Sequence, residues 1–308
     1  MEILIIGAGA MGGLFGALLA PLAEVCLYTT NPDHAAAINR DGLAVIGRDG
    51  VLRRSAIRII SDPHQYNRQA DLVLICTKAG STTAAAQAAL PLLADAGLVL
   101  TLQNGLGNLE RIAAVVGIER AVAGITSQAA TLVGPGQVRH AGNGPTVLAA
   151  GPEQFIRMAT IVALFNRAGI DTRIVEEAGS LLWSKLIINV GINALTALLR
   201  VPNGILARMP ECEGLMTQAV DEAVAVARAL HIHLPYAQQL DRVKQVCAVT
   251  GENRASMLQD ILRGVPTEID VINGAIVAKG REVGIPTPIN LLLTQLIKAL
   301  EATAPYRI

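Results

Sequence analysis

The chain has 308 residues, with 25 basic and 25 acidic side chains, and apolar residues make up 52% of it against 16% charged. That length exceeds what one hydrophobic core usually serves, so two domains are expected. With zero net charge nothing suggests a broad nucleic-acid surface or a polybasic membrane patch, and the apolar balance favours a well-buried globular protein over a disordered chain.

In chain order, residues 2–6 form a short apolar run ended by glycine, which predicts a buried parallel strand. A helix from about Met11 to Leu19 and a second strand near Val25 to Tyr28 follow. Ala70 to Cys76 and Leu98 to Gln103 predict further buried strands. Ala-rich helices are expected around Thr82 to Ala94 and Leu109 to Val115. This alternation predicts a doubly wound parallel sheet. From about 120 to 175 the sequence turns to β-type runs with the turn Gly134-Pro135-Gly136, then a helix near Phe155 to Ala168 and a strand near Thr172 to Val175. After Glu176 the predicted elements are all helical: about 179–200, 211–231, 237–248, 255–263, 267–283 and 288–302, punctuated by proline and glycine. The fold class is therefore α/β, an N-terminal doubly wound dinucleotide-binding domain over residues 1–176 plus a C-terminal all-helical domain over 177–308.

Two apolar stretches imitate other things. The N-terminus is as apolar as a signal peptide, but Glu2 stands where a basic residue should be. Leu181 to Leu199 is nearly long enough to span a bilayer, yet it holds Lys185, Asn189 and Asn193, which are costly in hydrocarbon. No transmembrane segment, no membrane partner and a cytoplasmic location are expected. Cys26, Cys76, Cys212 and Cys247 form no Cys-x-x-Cys pair and the histidines no constellation, so neither disulfide nor metal is expected. His231 and His233 are expected at the surface or a loop edge.

Gly7, Ala8, Gly9, Ala10, Met11 and Gly12 spell G-x-G-x-x-G between a strand and a helix. The first glycine permits a tight turn, the second lets the backbone approach a pyrophosphate, and the third allows close helix–strand packing. The strand–turn–helix context makes this a Rossmann-type dinucleotide site. An NAD site usually ends its second strand with an acid, whereas Tyr28-Thr29-Thr30-Asn31-Pro32 offers hydroxyls and an amide, with no acid until Asp33. NADP (NADPH) is the expectation, with NAD staying open.

Lys185, Asn189 and Asn193 are spaced i, i+4, i+8, so they stack along one face of an otherwise apolar helix, drifting only ~40° per step. One reading is a lysine that snorkels to water with asparagines bridging to neighbouring helices. The other is a polar stripe lining a cleft, where partial burial would lower the lysine pKa toward the range useful for proton transfer.

The order of these pieces resembles the ketopantoate reductase (2-dehydropantoate 2-reductase) family along essentially the whole chain. The resemblance rests on the glycine loop, Thr77-Lys78-Ala79, Gln103-Asn104-Gly105-Leu106-Gly107, and Trp183 to Lys185 with Asn189 and Asn193. It continues through Pro202-Asn203-Gly204, Ser256 to Asp260, and Thr267-Glu268 to Gly274. It implies hydride transfer from the nicotinamide to the C2 carbonyl of 2-dehydropantoate, giving pantoate for pantothenate and coenzyme A biosynthesis. It implies Lys185 as general acid and Glu268 as an acid that closes the site against cofactor or substrate. It implies Asn104 between cofactor and substrate, Asn189, Asn193, Asn203 and Ser256 on the substrate, and Lys78, Ala130 and Thr30 on the cofactor. Members often carry an arginine at or near Thr30 for the 2′-phosphate; here Thr29, Thr30 and Asn31 stand alone unless Arg40 reaches in.

Several of these residues have plainer readings. Ser256 with Gln259 fits a helix capping box, Glu268 the first turn of a helix, Asn203-Gly204 an ordinary turn, and Lys78 a solvated loop. Two other functions stand beside the leading one: a related 2-hydroxy acid dehydrogenase of D-mandelate type, and a non-catalytic NAD(P)-binding regulator. The expected partner is a small 2-keto acid and not nucleic acid, and the apolar helical domain could offer a homodimer surface.

Overall fold

The computed structural model describes residues 1–151 and 153–306. The chain divides into two units, Met1–Gln103 with Gly107–Ala178, and Asn104–Leu106 with the chain from Gly179 onward.

The first unit is α/β. Its strands are β1 (Glu2–Ile6), β2 (Glu24–Tyr28), β3 (Leu43–Ile46), β4 (Leu52–Ser55), β5 (Arg58–Ile60), β6 (Ala70–Ile75), β7 (Leu93–Thr101), β8 (Ala121–Thr126), β9 (Ala129–Gly134), β10 (Gln137–Gly142), β11 (Thr146–Ala149) and β12 (Thr172–Val175). Its helices are α1 (Ala10–Leu19), α2 (Pro32–Asp41), α3 (Thr82–Ala89), α4 (Asn108–Val116) and α5 (Phe155–Arg167). Among the described residues the strands form an eight-stranded sheet, β12-β11-β8-β7-β6-β1-β2-β5, and a four-stranded sheet, β4-β3-β10-β9. In the larger sheet the pairings from β7 across to β5 are parallel, and β11 runs antiparallel to β8.

The central parallel strands β1 and β6 are apolar at nearly every position because each face of the sheet has its own core. Ile3 and Ile5 join Leu72, Leu74, Leu14 and Phe15 on one face. Leu4 and Ile6 join Val73, Ile75, Ala86 and Ile112 on the other. Phe15 and Phe165 meet at 5.8 Å between ring centroids on the first face.

The second unit is helical: α6 (Ala178–Leu199), which begins one residue before it, then α7 (Asn203–Leu206), α8 (Pro210–Ala229), α9 (Gln239–Val249), α10 (Ser256–Arg263), α11 (Asn273–Val283) and α12 (Pro288–Ala302). The 22-residue α6 is long and apolar enough to cross a membrane by length and composition. Instead 61% of its apolar window is buried within the protein, with Trp183, Leu186, Ile187 and Val190 among the buried residues. It is a largely buried helix.

Four expectations are corrected. The helix expected from Thr82 to Ala94 ends at Ala89; a 3-10 turn over Leu90–Leu92 carries Pro91, and β7 already begins at Leu93. No helix begins at 267: Ile269–Val271 is a 3-10 turn and α11 starts at Asn273, so Glu268 does not sit in the first turn of an α-helix. Asn203-Gly204 opens the short α7 rather than a plain turn. Ser256 and Gln259 form no capping box, because Ala255 occupies the N-cap and Ser256 the first helical position.

Candidate functional site

In the first unit the glycine loop, Thr30 and Lys78, positions expected to meet a dinucleotide, lie at the carboxyl ends of parallel strands, whereas Ala130 lies on β9 of the smaller sheet. The sheet order reverses between β1 and β6, since β2 lies on one side of β1 and β6 on the other. Open α/β sheets bind ligands at such a switch point. The glycine loop follows β1, Thr30 follows β2, and Lys78 follows β6.

Each loop glycine has a separate geometric reason. Gly7 has φ +101°, and a Cβ there would lie 2.7 Å from backbone atoms of Cys76 and Thr77. A Cβ on Gly12 would lie 2.0 Å from the Gly7 carbonyl oxygen. A Cβ on Gly9, by contrast, would meet nothing within 4 Å. Gly9 is the N-cap of α1 and no side chain caps that helix. The space beside Gly9, where α1 begins, is therefore open and the helix start uncapped by any side chain, which suits a pyrophosphate at a helix N-terminus. Ala8 is buried, while Ala10 and Met11 are half-buried at the helix start.

Around the second strand end, the Thr29 hydroxyl accepts the Asn31 N–H at 3.2 Å, and the Asn31 side chain caps α2 by accepting the His34 N–H at 3.0 Å. Thr30 is exposed between them. Arg40 lies at the far end of α2 and is paired with Asp41 at 2.8 Å, so it does not serve the Thr30 end. Lys78 is exposed at the N-cap of a 3-10 turn. Ala130 is half-buried on β9. The sequence reading missed Gln103, whose amide donates to the Thr77 carbonyl at 2.7 Å and the Thr82 hydroxyl at 3.0 Å, joining the β6 and β7 ends. It stood in the quoted motif, but nothing local to it marks a role.

In the second unit, α6 presents the expected stripe. Lys185 and Asn189 are half-buried and Asn193 is buried. Burial pushes the Lys185 pKa down to about 8, with the Glu268 carboxylate partly offsetting it. Glu268 is itself buried, and its Oε2 accepts the Asn104 Nδ2 at 3.3 Å. Asn104, though far from it in sequence, belongs to this unit.

Among the described residues, three amide atoms of this unit are buried without a partner: Nδ2 of Asn189, Oδ1 of Asn203 and Oδ1 of Asn273. The Asn203 Nδ2 is held by the Thr250 hydroxyl at 2.9 Å, which fixes the amide so that Oδ1 is the open atom. A buried polar atom left unsatisfied costs about 1–3 kcal/mol, so each of these atoms is one that a polar ligand or an ordered water would satisfy. The Asn189 donor does not bridge to a neighbouring helix, which removes that reading for it. Ser256 is exposed at the start of α10 with no capping duty. Among the described residues no group of three or more His, Cys, Asp or Glu side chains could hold a metal ion.

Comparison with known proteins decides the family. Residues 3–153 match the model of ketopantoate reductase PanE/ApbA, and residues 179–301 match that of its C-terminal part. The 2-dehydropantoate 2-reductase of Halobacterium salinarum is 36% identical over 97% of this chain and 98% of its own length. This chain belongs to the ketopantoate reductase family. The Pyrococcus abyssi relative of the same name is 35% identical over 98% of both chains. Among solved structures, the PanE/ApbA family ketopantoate reductase from Ralstonia eutropha superimposes with a TM-score of 0.90 at 34% identity, covering 98% of this chain and 99% of that one. A D-mandelate dehydrogenase solved with NADH and anilino(oxo)acetate gives a TM-score of 0.93 at 29% identity, with the same coverage.

Proposed function

We propose that this chain is an NADP-dependent 2-dehydropantoate 2-reductase, reducing the C2 carbonyl of the keto acid to the alcohol of pantoate. The observation that carries the reading is Lys185. It is a half-buried ammonium brought to about 8, beside a buried carboxylate and on the helix that carries the unpartnered Asn189 amide.

A bound nicotinamide dinucleotide supplies the hydride. Gly7 to Gly12 and the start of α1 hold its pyrophosphate, Thr30 meets the 2′-phosphate, and Lys78, Asn104 and Ala130 complete its contacts. Lys185 gives its proton to the substrate C2 oxygen as negative charge grows there, joining acid catalysis to charge stabilisation. Asn189 donates to the substrate through Nδ2 and Asn203 accepts from a substrate hydroxyl through Oδ1. Asn193 lines the same helix face, and Ser256 hydrogen-bonds the carboxylate. Glu268 keeps the ammonium charged and orients Asn104.

Initial-rate measurements with a panel of keto acids test this. The highest kcat/KM is expected for 2-dehydropantoate; a clear preference for phenylglyoxylate would overturn it. That second reading, a D-mandelate-type dehydrogenase, is favoured by the similarity to the NADH-bound D-mandelate dehydrogenase and by a threonine where an arginine would grip a phosphate.

Thr30 yields a prediction of its own. Thr29 and Asn31 already spend their side chains on local backbone, so a hydroxyl is the main phosphate contact offered at this strand end. Thr30→Arg is expected to raise the NADPH-over-NADH preference on the order of 10-fold, the scale of a charge-assisted bond. An unchanged ratio would place the phosphate contact elsewhere.

A further inference from the structure

The stretch from Glu268 to Asn273 makes three connections within the second unit. Glu268 holds the Asn104 amide at 3.3 Å. The Val271 carbonyl accepts the Leu106 N–H at 3.0 Å. Gly105 is pressed so closely on that carbonyl that a Cβ would come within 2.2 Å of its oxygen. Asn273 makes the third connection. It is fully buried and donates Nδ2 to Asn290 Oδ1 at 3.0 Å and to the Val190 carbonyl of α6 at 3.4 Å. Asn290 is equally buried and donates to Glu222 Oε2 at 2.7 Å and to the Ala219 carbonyl at 3.0 Å. Glu222 also accepts the backbone N–H groups of Ile289 and Asn290 at 2.8 and 2.9 Å.

Helix capping does not account for Asn273, because the N-cap of α11 is Ile272. Apolar packing does not account for it either: burying the amide is costly, and it is offset only through Nδ2, since Oδ1 has no partner. Its donor reaches the carbonyl of the residue next to Asn189, and its backbone follows directly on the turn that carries Glu268. The residue ties the chain just after the Ile269–Val271 turn to α6 and, through Asn290, to α12.

We propose that Asn273 is a positioning residue, anchoring the Glu268–Val271 turn, and with it Asn104, to α6 so that Glu268 keeps its register with Lys185 and Asn189. This rests on the roles proposed above for Lys185 and Glu268. A displacement of about 1 Å at a reacting group can lower a rate as much as 100-fold, so an anchor outside the site acts on turnover.

The full-length Asn273→Ala and Asn273→Ser proteins test it. For Asn273→Ala, kcat with 2-dehydropantoate is expected to fall about 10-fold. Dinucleotide affinity, read by fluorescence titration, should fall less than kcat does, because of the proposed dinucleotide contacts only Asn104 is held by this turn and the glycine loop belongs to the other unit. The Leu106 amide, which donates to Val271, should exchange with solvent about 10-fold faster. In a Glu268→Gln background the same change should cost less than about twofold, since the anchor acts through Glu268. Asn273→Ser keeps a donor and should give smaller effects of the same sign; if the alanine protein fails to fold, it carries the test. Unchanged kcat, an equal penalty in the Glu268→Gln background, or unchanged Leu106 exchange each overturn the proposal. If the unmodified enzyme reduces none of the keto acids, the functional reading falls, and Leu106 exchange alone decides the anchor.

Discussion

Replacing Lys185 with alanine is expected to lower kcat for keto acid reduction by about 100-fold or more, the usual scale for loss of a general acid. Dinucleotide affinity should barely move, because the glycine loop is in a different unit of the fold. The size of the effect follows from the chemistry of the product. Hydride addition leaves an alkoxide, and without a nearby donor that charge must be protonated by water. An ammonium near 8 is a better acid than an ordinary lysine and is still mostly charged at neutral pH. Lys185→Arg should be nearly as damaged as the alanine protein, because a guanidinium keeps the charge but does not release a proton in this range. Stopped-flow and steady-state turnover, with a parallel binding titration, make the comparison. A loss below about 10-fold with binding intact would remove Lys185 from the role.

The glycine loop gives the second large effect, because its glycines fail in different ways. Gly12→Ala forces a methyl group to 2.0 Å from a backbone oxygen that cannot withdraw. It should destabilise the protein by about 3 kcal/mol or more, measured by chemical denaturation. Gly9→Ala places its methyl where no protein atom stands. That protein should fold, with its melting temperature within about 4 °C of the parent. Yet its affinity for dinucleotide should drop on the order of 10-fold or more, since the methyl occupies the approach to the α1 N–H groups. A stable Gly12→Ala protein would contradict the packing account. Unaltered binding by Gly9→Ala would contradict the pyrophosphate account.

The parts legible in the sequence were those with strong local period or strong chemistry. β1 and β6 are apolar at nearly every position because both faces are buried, and the glycine loop between β1 and α1 has a spacing with a single geometric use. The polar stripe on α6 stood out because three polar residues interrupt an apolar helix at i, i+4, i+8. The four-stranded sheet was not legible. Its β4 is largely exposed and carries Arg53 and Arg54, and β3 has only four residues, so neither shows a buried run. The break before α11 was hidden because Ile269, Ile272 and Ile276 keep a helical spacing, while tertiary bonds from Leu106 to Val271 and from Asn273 to Val190 hold the segment in another shape. The same holds for Asn104. Its assignment to the helical unit depends on Gly105 meeting Val271 and on Glu268 taking its amide, contacts between residues far apart in sequence. Ser256 failed as a cap for a simpler reason: Ala255 already adopts the extended conformation of an N-cap, which moves Ser256 one position into the helix.

The pH dependence of kcat for 2-dehydropantoate reduction at saturating NADPH, in the parent and in Lys185→Ala, is the most direct measurement. The proton donor is the charged form, so turnover should hold below an inflection near 8 and fall about 10-fold per pH unit above it, with that inflection absent from the alanine protein. A parent profile flat from pH 6 to about 10, or one that survives unchanged in Lys185→Ala, would show that the proton comes from another group.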